Sequence, residues 1–341
     1  MAAKRVTLAD VARRAGLSPT AASMILNGRP DTRLSQEAHD RVNAAAAELG
    51  YRPNVMARGL RTDKTHTIGF VSDLVATTRF ASGLIKGALG AAEKAGHVVL
   101  VAETGGEPRR EADAIAALLD RQVDGIIFAT MRARELFVPE LPDSIHAVML
   151  NATNPRYATA VLPDEARGGR AAVEVLTAAG HDHGIALIGQ SDEAERDVFR
   201  SETVSRRVEG IRAAMSERGL VFTAEESIWL WEPEEGYAAT LRVLRADPGV
   251  RALVCMNDRL AFGAYQAAAE LGLSIPRDLS IVSFDNDEVA SYLRPGLTTV
   301  ALPHEEMGRR AIELLLAGAQ GGHTLIEMPV VERESVAAPA D

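Results

Sequence analysis

Two consecutive series of short apolar segments constrain the fold of this chain more than any other feature of its sequence. A stretch of helix length separates each segment from the next, and the segments are 67–71, 97–103, 123–129 and 146–151, then 184–189, 227–231, 251–257 and 279–284. Continuous apolar strands that alternate with helices are typical of parallel sheets covered on both faces. Because the pattern occurs twice, it predicts two similar α/β lobes.

A different pattern precedes these lobes and predicts three short helices within residues 1–50. Capping residues begin them and helix-ending residues follow them, with bounds at Thr7 and Gly16, at Ser18 and Asn27, and at Ser35 and Gly50. Two short helices joined by a tight turn and followed by a packing helix are typical of a helix-turn-helix domain. A small three-helix bundle without a role in DNA binding is the alternative that the spacing leaves open.

The charge of the chain is divided unevenly between these two parts. Residues 1–61 contain 10 Lys/Arg and 5 Asp/Glu, a balance of +5, and the whole chain carries −10, so residues 62–341 carry −15. An acidic surface repels nucleic acid, and a basic segment joined to it is a local device for binding phosphate. The distribution therefore favours DNA binding by the first part of the chain.

The segment after the third predicted helix points to a family. Residues 51–61 read YRPNVMARGLR, and the head reads VTLADVARRAGLSPTAASMILNG from Val6. This combination resembles the LacI/GalR family of transcription regulators, and the two predicted lobes look like the type I periplasmic-binding-protein fold that the family shares. The resemblance implies an α/β protein of three parts: an N-terminal all-α helix-turn-helix head (1–50), a hinge helix and linker (51–66), and a two-lobed body with parallel sheets for effector binding and dimerisation (67–341).

The resemblance implies that the second helix enters the major groove of DNA. DNA-binding roles carried over from the family fall on Thr7, Ser18, Pro19, Thr20, Ala21, Ser23, Met24, Asn27, Tyr51, Asn54, Ala57, Arg58, Leu60 and Arg61. Here the chain departs from the family, which often has Arg or His at the position of Met24. Neither Pro19 nor Met24 can make a bidentate hydrogen bond to a base, although Thr20 can still contact a base edge. We therefore expect this helix to make few base-specific hydrogen bonds.

The predicted hinge contains a leucine between two arginines, a combination suited to the minor groove of DNA. The family inserts a leucine from each subunit into the minor groove, and Leu60 occupies this place here. Arg58 and Arg61 supply positive charge beside it. Gly59 weakens a helix by about 1 kcal/mol relative to Ala, so the hinge is expected to fold only on DNA. A flexible linker without a DNA contact is the alternative.

Effector-binding residues are expected at the carboxyl ends of the strands, because open parallel sheets bind ligands there and the cleft between two lobes is the default site. The candidates are Asp73, Thr78, Phe80, Asn151, Asp164, Arg207, Trp231, Asn257 and Asp285. The resemblance implies that Arg207 contacts hydroxyls or a carboxylate of the effector, and that Asp285 holds ligand hydroxyls. Trp231, predicted to end a strand, can stack on a sugar ring.

Each candidate has a structural alternative. Asp164, Asp258 and Asp285 could cap helices, and Trp231 could belong to the core. The chain also departs from the family near two candidates. Residues 77–80 read Thr-Thr-Arg-Phe where the family often has Asn-Pro-Phe-Phe, and Asp164 stands where the family often has Asp-Asn.

Other classes of function are disfavoured by what the sequence lacks. Cys255 is the single cysteine, so a disulfide framework or a cysteine zinc site is not expected, and it is interpreted as structural. His181 and His183 flank Asp182 in a triplet that is interpreted as a solvated loop. No phosphate loop, dinucleotide fingerprint or zinc-protease motif is present, so neither an enzyme nor a cofactor is expected. The absence of a signal peptide and of a long apolar segment predicts a cytoplasmic protein without a membrane span.

Together these observations predict a ligand-responsive DNA-binding repressor. A homodimer would bind a palindromic operator of double-stranded DNA, with a sugar or sugar derivative as the effector in the cleft. The chain has no leucine heptads after the body, which favours a dimer over a tetramer. A binding protein that feeds a transporter and a sugar-processing α/β enzyme are the alternatives, and the basic head argues against both. The sequence does not distinguish an effector that releases DNA from one that promotes binding.

Overall fold

The computed structural model describes residues 6–27, 34–51, 64–79, 81–190 and 202–339. The chain forms two compact units, Met1–Thr65 and His66–Asp341. Predicted site residues that lie outside the described residues are Asn54, Ala57, Arg58, Leu60, Arg61 and Phe80. Their roles, and most of the predicted hinge, stay predictions.

The first unit contains the three predicted helices, α1 (Leu8–Ala15), α2 (Pro19–Leu26) and α3 (Gln36–Leu49). Thr7, Ser18 and Ser35 are their N-caps, and each side chain accepts a backbone hydrogen bond from the first turn. Val11 and Val42 are fully buried in a core shared by the three helices. The prediction of an all-α head is confirmed.

The second unit contains alternating strands and helices. The strands are β1 (Thr67–Ser72), β2 (Val98–Glu103), β3 (Gly125–Glu135), β4 (His146–Thr153), β5 (Ala160–Pro163), β6 (Ile185–Gln190), β7 (Ala224–Ser227), β8 (Ala252–Cys255), β9 (Ser280–Asp285), β10 (Thr298–Ala301), β11 (His323–Ile326) and β12 (Val330–Val331). The helices are α4 (Ser82–Lys94), α5 (Pro108–Asp120), α6 (Glu165–Ala178), α7 (Glu202–Glu217), α8 (Pro233–Ala246), α9 (Asp258–Glu270), α10 (Glu288–Tyr292) and α11 (His304–Leu316).

These elements build two lobes, each around one sheet. The strand order is β11-β5-β4-β3-β1-β2 in lobe 1 and β12-β10-β9-β8-β6-β7 in lobe 2. All neighbouring strands are parallel except β12, which is antiparallel to β10. The chain crosses between the lobes three times: from β5 into α6, from β10 into α11, and from β11 to β12. The prediction of two parallel α/β lobes is confirmed.

Burial on both faces explains why the strands read as unbroken apolar runs. In β3, Ile127 packs on one face of the sheet in a cluster with Leu84 of α4, and the next residue, Phe128, packs on the other face with Leu118 of α5. All four side chains are 4% exposed or less. A strand with one solvated face would alternate apolar and polar residues instead.

One predicted strand is wrong. Residues 227–231 were expected to form a strand, but β7 ends at Ser227, and the following apolar run lies in a loop. β7 is an edge strand that pairs with β6 alone. Its sequence is polar, so a search for apolar runs does not identify it. Within the run, Ile228 is buried, but Trp229 and Leu230 are 43% and 54% exposed. Trp231 therefore lies in a loop rather than at the end of a strand.

Three helix pairs approach so closely that glycine is required on both helices. The pairs are α4 with α11, α6 with α7, and α8 with α9, and the glycines are Gly87 and Gly308, Gly169 and Gly210, and Gly236 and Gly263. A Cβ atom at any of these positions would lie 1.9–2.3 Å from a carbonyl oxygen of the opposite helix. Because backbone atoms cannot move aside like a flexible side chain, the glycines set the distance between these helices.

Helix α4 offers a matched test of this requirement. A Cβ at Gly87 would lie 1.9 Å from the Glu305 oxygen, whereas a Cβ at Gly90 would meet nothing within 4 Å. We expect Gly87→Ala to lower the free energy of unfolding by about 1–3 kcal/mol or more. Gly90→Ala should leave it unchanged or raise it by up to about 1 kcal/mol, since Ala favours a helix. Urea denaturation measures both, and equal effects would contradict the close crossing.

Candidate functional site

The predicted base-reading residues lie on the side of α2 that faces away from the head core. Pro19 and Thr20 are exposed and Met24 is partly exposed, whereas Ala22 and Ile25 are buried against the other helices. The exposed side of α2 therefore offers one hydroxyl with a methyl group, at Thr20, and two apolar side chains, at Pro19 and Met24. Ala21 on the same helix is also partly exposed.

The remaining described candidates of the head have structural partners. Thr7 forms a reciprocal capping box with Asp10, and the Ser18 hydroxyl accepts a hydrogen bond from the Ala21 amide at 3.1 Å. The side-chain amide nitrogen of Asn27 donates to the Ser23 carbonyl at 2.6 Å, and it lies 3.2 Å from the Ser23 hydroxyl. Tyr51 packs against the head core. These contacts fix the ends of α1 and α2, and a DNA role for these residues stays a prediction.

In the second unit, the carboxyl ends of the two sheets face a common cleft. Arg79, in the segment after β1 of lobe 1, forms an ion pair of 2.6 Å with Glu288 of α10, which follows β9 of lobe 2. In addition, α7 of lobe 2 contacts β3 of lobe 1. Strand-end residues of both lobes therefore line opposite walls of one cleft.

On the lobe 1 wall, two candidates are engaged by their own lobe. The Asp73 carboxylate accepts hydrogen bonds from the Met131 amide at 3.0 Å and from Nη2 of Arg134 at 3.2 Å. Asn151 has a φ of 52°, and its side-chain amide donates to the carbonyl oxygens of Thr130 and Met131 at 3.0 and 3.1 Å. Both side chains tie neighbouring strand ends together. An additional effector contact by either stays a prediction.

Two other polar atoms on this wall have no described protein partner. Oε2 of Glu103 accepts hydrogen bonds from the Ser72 hydroxyl and the Ala76 amide, both at 2.8 Å. Its second oxygen, Oε1, and the hydroxyl of Thr78 are buried without a partner among the described residues. Glu103 was missed by the sequence analysis, although its place at the carboxyl end of β2 is the signal that identified the other candidates.

On the lobe 2 wall, each of the three nitrogens of the Arg207 guanidinium donates a hydrogen bond to a protein group. Its Nε and Nη2 donate to the two carboxylate oxygens of Glu165 at 2.6 and 2.9 Å, and Nη1 donates to the Met256 carbonyl at 2.7 Å. The guanidinium also lies over the Phe284 ring, 4.3 Å from its centroid. The side chains of Arg207 and Glu165 are each only 3% exposed. Such a bidentate pair is the geometry in which arginine binds a carboxylate most strongly.

Glu165 is the partner that the sequence analysis missed. It directly follows Asp164, at the place where the family often has the asparagine of an Asp-Asn pair. A buried arginine needs an acidic partner because an unpaired buried charge is strongly destabilising. This requirement is a usable signal, but it does not identify the partner among the many acidic residues of the chain.

Asp258 and Asp285 lie next to this pair. Asp258 is fully buried and accepts hydrogen bonds from the hydroxyls of Ser283 and Thr299 and from the Asp287 amide. Burial raises its pKa to about 6, although the hydrogen bonds from these three donors act to lower it. The N-cap of α9 is Asn257, so the interpretation of Asp258 as a cap is wrong.

Among the described residues, Asp285 is the carboxylate on this wall with the fewest protein partners. Its backbone is in the left-handed region with φ 103°, an uncommon conformation for a residue other than glycine. Its side chain is 18% exposed, and the nearest cation to its carboxylate is Nη2 of Arg207 at 3.9 Å. Burial raises its pKa to about 7, assisted by the charges of Asp258 and Glu165 and opposed by Arg207.

The other lobe 2 candidates are partly structural. The Trp231 indole donates to the Gly189 carbonyl at 2.8 Å while its half-buried ring packs at the edge of the core. Asn257 caps α9 through the Leu260 amide at 2.8 Å. Asp164 caps α6, which is the structural alternative stated for it above. The structure brings these residues to the same edge of the body, and their effector contacts stay predictions.

The histidine triplet and the cysteine have no role in this cleft. His181 is 2% exposed and its Nε2 lies 3.0 Å from the Ala337 carbonyl, so the interpretation of the triplet as a solvated loop is wrong at this residue. Burial lowers the pKa of His181. Cys255 is fully buried in β8, as expected for a structural cysteine. The described residues include no group of three or more His, Cys, Asp or Glu that could hold a metal ion.

The families and relatives that the chain matches agree with this architecture. Residues 7–54 match the family of bacterial regulatory proteins called the lacI family, and residues 173–336 match a periplasmic binding protein-like domain. The PurR transcriptional repressor of Vibrio atlanticus (strain LGP32) is 31% identical over 318 residues, which cover 91% of each chain. The ribose operon repressor of Haemophilus influenzae is 30% identical over 340 residues, which cover 97% of this chain and 98% of that repressor.

Solved structures give the same result. The lac repressor dimer bound to operator and the anti-inducer ONPF superimposes with a TM-score of 0.77 at 26% identity, covering 98% of this chain and all of that one. A LacI family regulator from Enterococcus faecium with bound ribose gives 0.61 at 27% identity, covering 80% and 99%. The chain is a transcriptional regulator with a helix-turn-helix head and a periplasmic-binding-protein-like body. It belongs to the lacI family of bacterial regulatory proteins, as its resemblance to LacI/GalR regulators predicted. None of its described helices combines the length and apolar character needed to cross a bilayer.

The pair of Arg207 and Glu165 can be tested by removing the arginine, which leaves the Glu165 carboxylate buried without its partner. We expect Arg207→Met to lower the free energy of unfolding by about 3–5 kcal/mol, because Glu165 would become an unpaired buried charge. Adding Glu165→Leu to this variant should recover much of the loss. Arg170→Met, which breaks the exposed pair with Glu217 on the same two helices, should cost much less. Urea denaturation gives all values, and no recovery in the double variant would contradict the account.

The raised pKa of Asp285 predicts a pH dependence with a definite sign. Its pKa rises on folding from 3.8 to about 7, so the folded protein holds this proton more tightly and loses stability as pH rises through that window. Asp285→Asn should therefore be more stable than wild type at pH 8 and lose most of that gain at pH 5. Asp278→Asn is the control. The pKa of Asp278 is lowered to about 2, so its carboxylate stays charged at both pH values. Equal gains for Asp285→Asn at both pH values would contradict the assignment.

Proposed function

We propose that this protein is a repressor that binds a palindromic operator as a homodimer and responds to a sugar-like effector in the cleft between the lobes. In this proposal, residues 1–50 bind DNA, residues 51–66 form the hinge, and residues 67–341 bind the effector and dimerise. The observation that carries it is the combination, in one chain, of a basic helix-turn-helix head and a two-lobed body with a polar cleft. Catalysis has no part in this function.

The head supports binding through shape and charge more than through base-specific hydrogen bonds. The exposed side of α2 carries Pro19, Thr20 and Met24, which suit contact with thymine methyl groups better than bidentate readout of guanine or adenine. The net charge of +5 over residues 1–61 supplies attraction to phosphate. We infer that much of the sequence preference comes from Leu60, Arg58 and Arg61 in the minor groove, where a central base step must open.

A homodimer explains why the operator would be a palindrome. A two-fold axis places two identical heads on half-sites of opposite orientation. The lac repressor structure that this chain resembles is a dimer on its operator. The ribose repressor relatives and the ribose-bound neighbour support a sugar-like effector.

The cleft supports regulation because both walls contribute polar groups. In this proposal, Asp285 on lobe 2 and Glu103 with Thr78 on lobe 1 receive ligand hydroxyls, and the Trp231 ring stacks on a sugar. A ligand bound by both walls favours one spacing of the lobes over another. Since the chain enters lobe 1 at Thr67, a change in that spacing alters how the two hinges of a dimer meet.

The first experiment is in vitro selection of random DNA duplexes with the full-length protein at near-physiological salt. We expect enrichment of a palindrome with a central pyrimidine–purine step, because such steps open most easily. Repeating the selection with pooled sugars separates a requirement for a corepressor from a lack of sequence preference. No enrichment under either condition would contradict the proposal.

The operator obtained in this way allows a test of the hinge. We expect Leu60→Ala to weaken specific binding by about tenfold or more, because the minor-groove wedge is lost while the body is unchanged. Val221→Ala is the control, since Val221 is an exposed apolar residue of the body at 80% exposure. Fluorescence anisotropy with labelled operator gives both affinities. Unchanged operator affinity in Leu60→Ala would remove the wedge from the mechanism.

A further inference from the structure

We propose that Met24 is a reversible oxidation site, and that conversion of its thioether to a sulfoxide by a peroxide weakens binding of the head to its operator. This inference rests on the proposed function, because it assigns a regulatory role to a residue on the DNA-reading side of α2. It follows from the packing of the methionines and of the single cysteine, and from the surroundings of Met24.

Met24 differs from the other described methionines in its packing. Five of them are 4% exposed or less and belong to apolar core clusters, and these are Met149, Met215, Met256, Met307 and Met328. Met131 is partly exposed, but it packs against a core cluster of lobe 1. Met24 is partly exposed, and it belongs neither to the head core nor to the side chains that pack against that core. A reagent in solvent can therefore reach this side chain while the head stays folded.

The cysteine does not compete with Met24 for an oxidant. Peroxides attack the thiolate form of cysteine, and the reaction requires access to the sulfur. Cys255, the single cysteine of the chain, is fully buried in β8, and burial raises the pKa of its thiol. This thiol is therefore both protonated and inaccessible, which leaves the exposed methionine sulfur as the group that reacts first.

The reaction needs a peroxide such as hydrogen peroxide and no other reagent. The methionine sulfur attacks one peroxide oxygen, the O–O bond breaks, and the products are one sulfoxide and one molecule of water. The sulfur loses two electrons and the peroxide gains them. A dithiol-dependent reductase reverses the change and yields the thioether, a disulfide and water. The modification can therefore act as a switch rather than as permanent damage.

The sulfoxide changes the chemistry of the surface that α2 offers to DNA. Met24 and Pro19 present apolar groups suited to thymine methyls, and Thr20 adds one hydroxyl. A sulfoxide is polar and accepts hydrogen bonds without donating any. Placed against a methyl group, it loses its hydration and gains no donor, which is unfavourable. Because phosphate contacts depend on the basic residues of the head instead, oxidation lowers sequence-specific affinity more than nonspecific affinity.

The contacts that hold α2 in place do not depend on Met24. The Ser18 side chain caps the helix, and Ala22 and Ile25, which are 0% and 5% exposed, attach it to the head core. None of these contacts involves the Met24 side chain. Oxidation therefore leaves the head folded, and a loss of operator binding reports a change of the DNA-facing surface.

Timed oxidation of the full-length protein with hydrogen peroxide, followed by peptide mass spectrometry, tests the reactivity. We expect Met24 to be oxidised at least about tenfold faster than the buried Met149 and Met256, because exposure governs the rate. The operator duplex should slow oxidation of Met24 and leave the rate at Met131 unchanged. A rate at Met24 no higher than at the buried methionines, or one unaffected by the operator, would overturn the proposal.

Fluorescence anisotropy of the same samples tests the consequence, with the selected operator and an unrelated duplex. We expect oxidation to weaken operator binding by about fivefold or more and to leave binding of the unrelated duplex unchanged. Treatment with the two stereospecific methionine sulfoxide reductases and dithiothreitol should restore the operator affinity. An equal loss on both duplexes, or a loss that reduction does not reverse, would overturn the proposal.

Two matched variants assign the effect to Met24, each compared with itself before and after peroxide. Met24→Leu keeps an apolar side chain of similar size without sulfur, so its operator affinity should not respond to peroxide. Met131→Leu keeps Met24 and should respond as wild type does. Met1 and Met56, which lie outside the described residues, remain in both variants. A full response in Met24→Leu would therefore overturn the assignment.

The reduced protein separates this inference from the proposed function. If it binds its operator and oxidation of Met24 leaves that affinity unchanged, the oxidation switch fails and the regulator remains. If the reduced protein binds no duplex with sequence preference, in the presence or absence of sugars, the proposed function fails and this inference fails with it.

Discussion

The pairing of Arg207 with Glu165 is the interaction on which the organisation of lobe 2 depends. It joins α6 to α7, and through Met256 and Phe284 it anchors both helices to the ends of β8 and β9. The pair forms because Gly169 and Gly210 let the two helices approach to backbone contact. Without that approach, the carboxylate could not reach the guanidinium in bidentate geometry. The close packing of the two helices thus permits the buried charge pair, and the charge pair in turn sets which groups of Arg207 face the cleft.

Much of the fold could be predicted from local pattern, because its determinants are local. Capping residues such as Thr7 and Ser18 act within one helical turn, and apolar runs report burial on both faces of a sheet. The prediction failed at residues 227–231, where an apolar run serves a loop beside a polar edge strand. Edge strands are buried on fewer sides, so the signal that identifies central strands is weakest there.

The candidate site was harder to predict than the fold. The rule that ligands bind at the carboxyl ends of parallel strands selected residues at the right edge of each sheet. It could not separate Asp285, which the protein leaves partly free, from Asp73 and Asn151, which bridge strand ends of their own lobe. That difference depends on partners distant in sequence, as does the pairing of Arg207 with Glu165, 42 positions apart.

The three crossings of the chain between the lobes have a consequence for synthesis. Lobe 1 begins at β1 but receives α11 and its edge strand β11 only from residues 304–326, and lobe 2 receives β12 from Val330–Val331. On the ribosome, neither sheet can be completed until the last part of the chain has been made. The nascent body therefore exposes an unfinished sheet edge in both lobes until residues 323–331 have been made, and each edge is then closed by a long-range contact.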